Sequence, residues 1–317
     1  MINKFSVILT LIIALCACDG NQKGELLFVD SVPGDGFNYP YFLFIPDGTS
    51  LYEKSTLIVV PNNSGFADDD LKKHIDKAER TAGKDFYIGN YVAQKLKYPL
   101  LVPVFPRSRA EWKTYTHSLD RDVICQKNSP LERIDLQLLA MVEDARKKLT
   151  LSGYNIQTKF FITGFSASGT FANRFTLIHP DKIFAVAAGG LNGLLTLPLD
   201  SIADKPLNYP LGTNDFKVLF NKEFQKAEFT NTPQFYFMGG MDENDAVPYE
   251  DAFDPNEREL IYELIGKEML PLRWENCKNI YVNEGVNSTI ETYENIAHEL
   301  PENVKKKIVV FFQKCIN

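Results

Sequence analysis

Lys159-Phe-Phe-Ile-Thr-Gly-Phe-Ser-Ala-Ser-Gly-Thr-Phe-Ala-Asn-Arg-Phe175 is the stretch on which the reading of this chain turns. Phe160 to Ile162 is an apolar run that soon meets a glycine, the pattern of a buried strand. Gly164 to Gly169 is a turn of mostly small residues. Phe171, Ala172 and Phe175 then recur at helical spacing as far as His179-Pro180. Strand, tight turn and helix in that order display a serine hydroxyl in open space. Gly164, two residues before Ser166, lets strand and helix approach. Ser168 stands where the usual Gly-x-Ser-x-Gly pattern has its second glycine, and Gly169 follows it. The helix start brings backbone N–H groups and positive dipole beside the serine oxygen.

A serine that attacks a carbonyl needs a base for its proton and a carboxylate to orient that base. The chain has four histidines, at 74, 117, 179 and 298. Only His298 lies where the order nucleophile, acid, histidine requires its base, between the last expected strand (Asn279 to Val282) and a closing amphipathic helix carrying Val304, Ile308, Phe311, Phe312 and Cys315. The acid is expected from the segment after the strand Gln234 to Met238. Asp242, after Gly239-Gly240, leaves that strand end first, and Asp245 is the alternative. Two N–H donors must face the developing oxyanion. One is the amide of Ala167. The other is expected from the loop Asn62 to Gly65, with Asn63 the donor, because that loop follows the β-prone run Thr56 to Val60.

The rest of the chain alternates in the same way. Glu25 to Val32 and Tyr41 to Ile45, split by Pro33-Gly34-Asp35-Gly36, read as an antiparallel pair. Leu100 to Phe105 is the next strand. The loop after it carries Trp112, Tyr115 and His117, a candidate substrate wall. Ser129 as N-cap, Pro130 at N1 and Glu132 at N3 predict a helix start, with Leu131, Ile134, Leu138, Val142, Ala145 and Leu149 on one face. Ile183 to Ala188 is a further strand. Residues 191–232, rich in proline and phenylalanine, read as a cap-like insertion with a small core of its own. Asp254-Pro255-Asn256-Glu257 starts another helix, which Gly266 stops. Strand and helix in alternation make the sheet mostly parallel and helix-covered.

With 317 residues, 44% of them hydrophobic, and a net charge of −7, the chain can bury a large core, and its acidity excludes nucleic acid as partner. Residues 1–17 read as an export signal, with Lys4 before the apolar run Phe5 to Ala17, which is short for a membrane span. Leu15-Cys16-Ala17-Cys18 resembles a bacterial lipobox. That resemblance implies cleavage before Cys18 and lipid on that residue. Residues 18–24 are then a tether and 25–317 an exported domain anchored to a membrane of the bacterial envelope. Cys125, Cys277 and Cys315 fit no zinc spacing and read as packing residues or one disulfide.

Taken together, Gly-Phe-Ser-Ala-Ser-Gly, the loop after an early strand, Gly-Gly-Met-Asp after a late strand and Ile-Ala-His298 near the end resemble the α/β-hydrolase family, over Glu25 to Lys314. Within it they look most similar to esterases of the polyhydroxybutyrate-depolymerase and feruloyl-esterase type. The resemblance implies an α/β fold with an eight-stranded, mostly parallel sheet, and a Ser166–His298–Asp242 esterase needing neither metal nor other cofactor. The expected partner is a small-molecule or polymer ester. A serine peptidase on the same fold and a non-catalytic glycan- or lipid-binding lipoprotein are the competing readings.

Overall fold

The computed structural model describes residues 23–62 and 66–316. The export signal, Cys18 and Asn63 lie outside the described residues. In chain order the main sheet is built from β1 (Gly24–Val29), β2 (Tyr41–Pro46), β3 (Ile58–Val59), β4 (Leu100–Pro103), β5 (Phe160–Phe165) and β6 (Ile183–Gly189). The strands β7 (Ser201–Ile202) and β8 (Lys205–Pro206) form a separate small hairpin, and β9 (Gln234–Gly239) and β10 (Ser288–Tyr293) complete the main sheet. Its order is β1-β2-β4-β3-β5-β6-β9-β10. The β1–β2 and β2–β4 pairs are antiparallel, and the other five are parallel. This is the α/β-hydrolase architecture expected above.

Alternate side chains explain why the sheet is covered on both faces. Along β5, Phe160 and Ile162 enter one core and Phe161 the other. Along β9, Tyr236 and Met238 divide from Phe235 and Phe237 in the same way. The first core is closed mainly by α4 (Ile134–Leu151), which follows the short α3 (Arg121–Ile124), and by the helix after β5, α5 (Ala167–Ile178). The second is closed by α1 (Leu71–Gly83), α2 (Ile88–Leu96) and the final helix Glu302–Ile316. Phe161 stacks on Phe312 of that helix with ring centroids 4.3 Å apart. Burying each ring contributes about 1.5–3 kcal/mol and holds the helix against the sheet. The loop carrying His298 is therefore anchored at both ends, by β10 and by the final helix.

Three expectations are corrected. Asn279 to Val282 is helical, part of the helix Trp274–Asn283, whose buried Trp274, Cys277 and Tyr281 recur at helical spacing. The last strand is β10, Ser288-Thr-Ile-Glu-Thr-Tyr293, an edge strand with no fully buried residue and hence little apolar signal. The helix expected from Ser129 begins at Ile134, because Arg133 takes a left-handed conformation (φ 49°) and grips Asp135 at 2.8 and 2.7 Å. Ser129 to Glu132 forms a turn before it, closed by the Glu132 amide on the Ser129 carbonyl. The apolar face of the helix is buried as read. Finally, the aromatics of residues 191–232 have no core of their own. Tyr209, Phe216, Phe220 and Phe229 join the first core beneath the sheet. Cys125, Cys277 and Cys315 are free thiols.

Candidate active site

The turn between β5 and α5 is held by backbone crowding. Ser166 has φ 62° and ψ −133°, a conformation few side chains adopt, and its amide donates to the Gly189 carbonyl of β6 at 2.9 Å. A Cβ on Gly164 would lie 2.3 Å from the Ser168 carbonyl oxygen, and one on Gly169 would lie 2.5 Å from that of Gly189. Only glycine fits at either position. The close approach to β6 falls on Gly169, which leaves room for a side chain at 168. Ser168 uses it: its hydroxyl accepts from the Phe165 amide at 3.0 Å and donates to the Phe165 carbonyl at 2.9 Å. The departure from Gly-x-Ser-x-Gly thus closes the turn with two hydrogen bonds.

Asp242 and His298 meet as expected. His298 Nδ1 lies 2.8 Å from Asp242 Oδ2, and the Asp242 side chain is almost wholly buried. The other carboxylate oxygen accepts the Asn244 amide at 2.8 Å. With Nδ1 donating to the carboxylate, Nε2 carries the lone pair and is the basic nitrogen. Asp245 is occupied elsewhere, at 2.6 Å from the guanidinium of the fully buried Arg273. That pairing separates the two candidate acids.

His298 stands beside the serine turn. Its ring packs 4.8 Å from that of Phe165, and a Cβ on Gly190 would meet its Cε1 at 3.0 Å. Gly190 follows Gly189, the residue that receives the Ser166 amide, so the end of β6 positions both groups. Among the described residues no hydrogen bond joins Ser166 Oγ to His298. Nε2 lies 3.5 Å from Asn244 Nδ2 instead. The amide of Ala167 is the first of α5 and belongs to the set that a helix leaves without an internal partner. It is placed to donate to an oxygen beside Ser166.

A cavity of about 470 Å³ opens at Ser166 and Ala167. Trp112 and Tyr115 line it, as expected of the loop after β4. His117 does not. It is buried, with Nε2 2.9 Å from the Phe105 carbonyl oxygen, and burial pushes its pKa down to about 3. Its packing role replaces the expected place in the wall. The facing wall, residues 244–253, was not foreseen as such. Two ion pairs clamp it to the Trp112 loop: Arg107 to Asp251 at 2.7 Å and Lys113 to Glu250 at 2.6 Å. Arg107 also lies 3.8 Å over the Tyr115 ring. From residues 191–232, Leu191, Asn192, Leu194, Thr196 and Pro210 reach the cavity. The sequence signal for the missed wall is its charge pattern, which has meaning only once Arg107 and Lys113 are nearby.

A second cavity, of about 450 Å³, lies on the far side of Phe165 and is lined by His298, Phe86, Leu300 and Lys305. His298 does not line the first.

No protein-family model matches the chain, and no curated protein does. Its fold is similar to solved structures. Poly(aspartic acid) hydrolase-1 from Sphingomonas sp. KT-1 superposes with a TM-score of 0.56, at 18% identity, over 91% of this chain and 97% of that one. LpqC, a poly(3-hydroxybutyrate) depolymerase from Bordetella parapertussis, superposes with a TM-score of 0.55, at 15% identity, over 93% and 90%. The shared feature is the fold: the chain is an α/β-hydrolase in architecture.

Proposed function

We propose that the chain hydrolyses carboxylic esters through an acyl-enzyme formed on Ser166. The observation that carries this is the 2.8 Å bond from the buried Asp242 to His298, on a ring held beside the strained Ser166 turn. Asp242 fixes the tautomer that leaves Nε2 basic. On substrate binding Nε2 exchanges its long contact with Asn244 for the Ser166 hydroxyl. Ser166 Oγ adds to the ester carbonyl as its proton passes to Nε2, and the Ala167 amide donates to the oxyanion. The tetrahedral intermediate collapses by breaking the bond to the alkoxy oxygen, which takes the proton from His298. Water then adds to the acyl-enzyme by the same route and releases the acid. The depolymerase among the similar structures is named for a polyester, which agrees with this reading.

Release of p-nitrophenol from p-nitrophenyl butyrate tests it. Ser166→Ala and His298→Ala should each lose roughly 10³- to 10⁶-fold in kcat with little change in KM. Wild-type turnover in Ser166→Ala defeats the assignment. An inert wild type that a fluorophosphonate still labels points to amide substrates. One that is not labelled points to a binding protein.

We also propose that the domain is exported and tethered to a bacterial envelope membrane by lipid on Cys18. Metabolic labelling with an alkynyl fatty acid should mark the chain and be lost in Cys18→Ser.

A further inference from the structure

Beyond the nucleophile, α5 sends a stripe of residues into the first cavity: Ala167, Thr170, Asn173 and Arg174. These recur at three and four residues, so they share one helical face. Arg174 begins about 12 Å along the axis from Ser166 at 1.5 Å per residue. Long helical side chains lean back toward the N-terminus, which brings its guanidinium toward the nucleophile.

Among the described residues no carboxylate forms an ion pair with this guanidinium. Arg174 is only 3% exposed, and its Nη1 donates to the Ser118 carbonyl at 3.1 Å. Among the described residues no carboxylate lies within 4 Å of it, and the ring of Phe253 is 5.6 Å away. Every carboxylate that lines the cavity is already taken: Asp245 by Arg273, Glu250 by Lys113 and Asp251 by Arg107. Two further acids feel the charge of Arg174 and do not bond to it. Asp120 accepts the amides of Val123 and Tyr115, and Glu257 accepts that of Asp254. Burial pushes both carboxyls up to about 7, so at neutral pH neither fully offsets the cation. A buried cation with spare donors facing a cavity is costly unless something fills it. The group that suits a planar fork of N–H donors is a carboxylate.

The geometry also says which part of the substrate brings it. His298 gives its proton to the leaving alcohol and lines the second cavity, whereas Ser166 and the Ala167 amide line the one that holds Arg174. The acyl part belongs in the first.

We propose that the substrate is an ester whose acyl chain ends in a carboxylate, and that Arg174 binds that carboxylate. This rests on the ester-hydrolase reading above. The test compares p-nitrophenyl monoadipate with its methyl ester, p-nitrophenyl methyl adipate, on wild type, Arg174→Gln and Arg174→Lys. Wild type should favour the free acid in kcat/KM by about 10- to 100-fold, the worth of one charge-assisted hydrogen-bond pair. The preference should fall toward unity in Arg174→Gln, mainly through KM, and be partly retained in Arg174→Lys. A wild-type preference unchanged in Arg174→Gln, or no preference in wild type, overturns the proposal. Calorimetric titration of Ser166→Ala protein with adipate needs no turnover. Loss of at least tenfold in affinity on adding Arg174→Gln supports the carboxylate site even if every ester proves inert, and equal affinity, or no binding to either protein, refutes it. Near-ultraviolet circular dichroism of the variants separates loss of the site from loss of the fold.

Discussion

The turn at Ser166 and the segment after β9 both present a candidate site residue at the same edge of the sheet, and they are held there by different means. The Ser166 turn is fixed by its own backbone and by that of the neighbouring strand β6. Gly164 and Gly169 leave no room for a Cβ, and Ser168 ties its hydroxyl to Phe165. The segment 242–251 is fixed from far away. Asp242 meets His298, Asp245 meets Arg273, Glu250 meets Lys113 and Asp251 meets Arg107. One region relies on steric exclusion, which is local and insensitive to charge. The other relies on pairs that form only after the chain has folded, and each depends on a partner between 28 and 144 residues away in number. Damage should therefore act through the local fold in the first and through single partners in the second.

Exchanging the two neighbouring aspartates is the sharpest way to break this contrast. Asp242→Asn should keep the fold and lower kcat by about 10⁴-fold, because the wrong tautomer is then held on His298. Asp245→Asn should keep most of the turnover per folded molecule and cost ~3 kcal/mol of stability, since Arg273 is fully buried and would lose its partner. Measuring kcat and urea midpoints for both decides it. Similar defects in the two variants would mean that the segment acts as one unit.

Steric control at the serine turn predicts that Gly169→Ala costs ~2 kcal/mol, since the added carbon meets the backbone of β6 and not a movable side chain. A Tm unchanged to within a degree would show that the approach to β6 is softer than drawn. Ser168→Gly restores the usual pattern and should cost about 1 kcal/mol, for the loss of its two part-buried hydrogen bonds to Phe165.

His117 offers a milder comparison, between a histidine that packs against the core and one that meets a carboxylate at a cavity. Its pKa is about 3 in the folded chain, against an ordinary 6.5, because burial disfavours the charged ring. The unfolded chain binds the proton first as pH falls, so the stability from His117 is complete above about 6.5 and is lost progressively down to about 3. The slope is at most ~1.4 kcal/mol per pH unit. His117→Gln should flatten the acid limb of urea midpoints recorded from pH 7 to 4. An unaltered limb would assign acid lability to other groups.

Much of the site was legible because its parts are set by local rules. Gly164, Ser166 and Gly169 announce a crowded turn by their sizes alone. His298 stood out because histidines are few and the order of the triad leaves it one place. Asp242 could be preferred to Asp245 only by distance from a strand end, and the reason for the preference, Arg273, was invisible. His117 failed as a wall residue because its direction is set by a bond to Phe105, twelve residues earlier in number, and not by the loop it sits in. Arg174 was passed over for a similar reason. In the sequence it is one charge on a helix, and nothing there says that its counter-charges are all engaged elsewhere.

Backbone sterics and side-chain periodicity dictate the features that can be read along the chain. These are the alternating strands and helices, the two faces of each strand and the small residues that shape the serine turn. These follow from interactions within about ten residues, which any reader of the chain can apply. Tertiary structure alone decided the edge strand β10, where Thr289, Glu291 and Thr292 dilute the apolar signal, and the merging of residues 191–232 into the main core. It also decided which of two aspartates reaches His298, and that Arg174 lines a cavity with no carboxylate paired to it among the described residues. Each of these depends on which distant groups come within a few ångströms of one another. Charge pairing and cavity shape are properties of that encounter, and no local pattern encodes them.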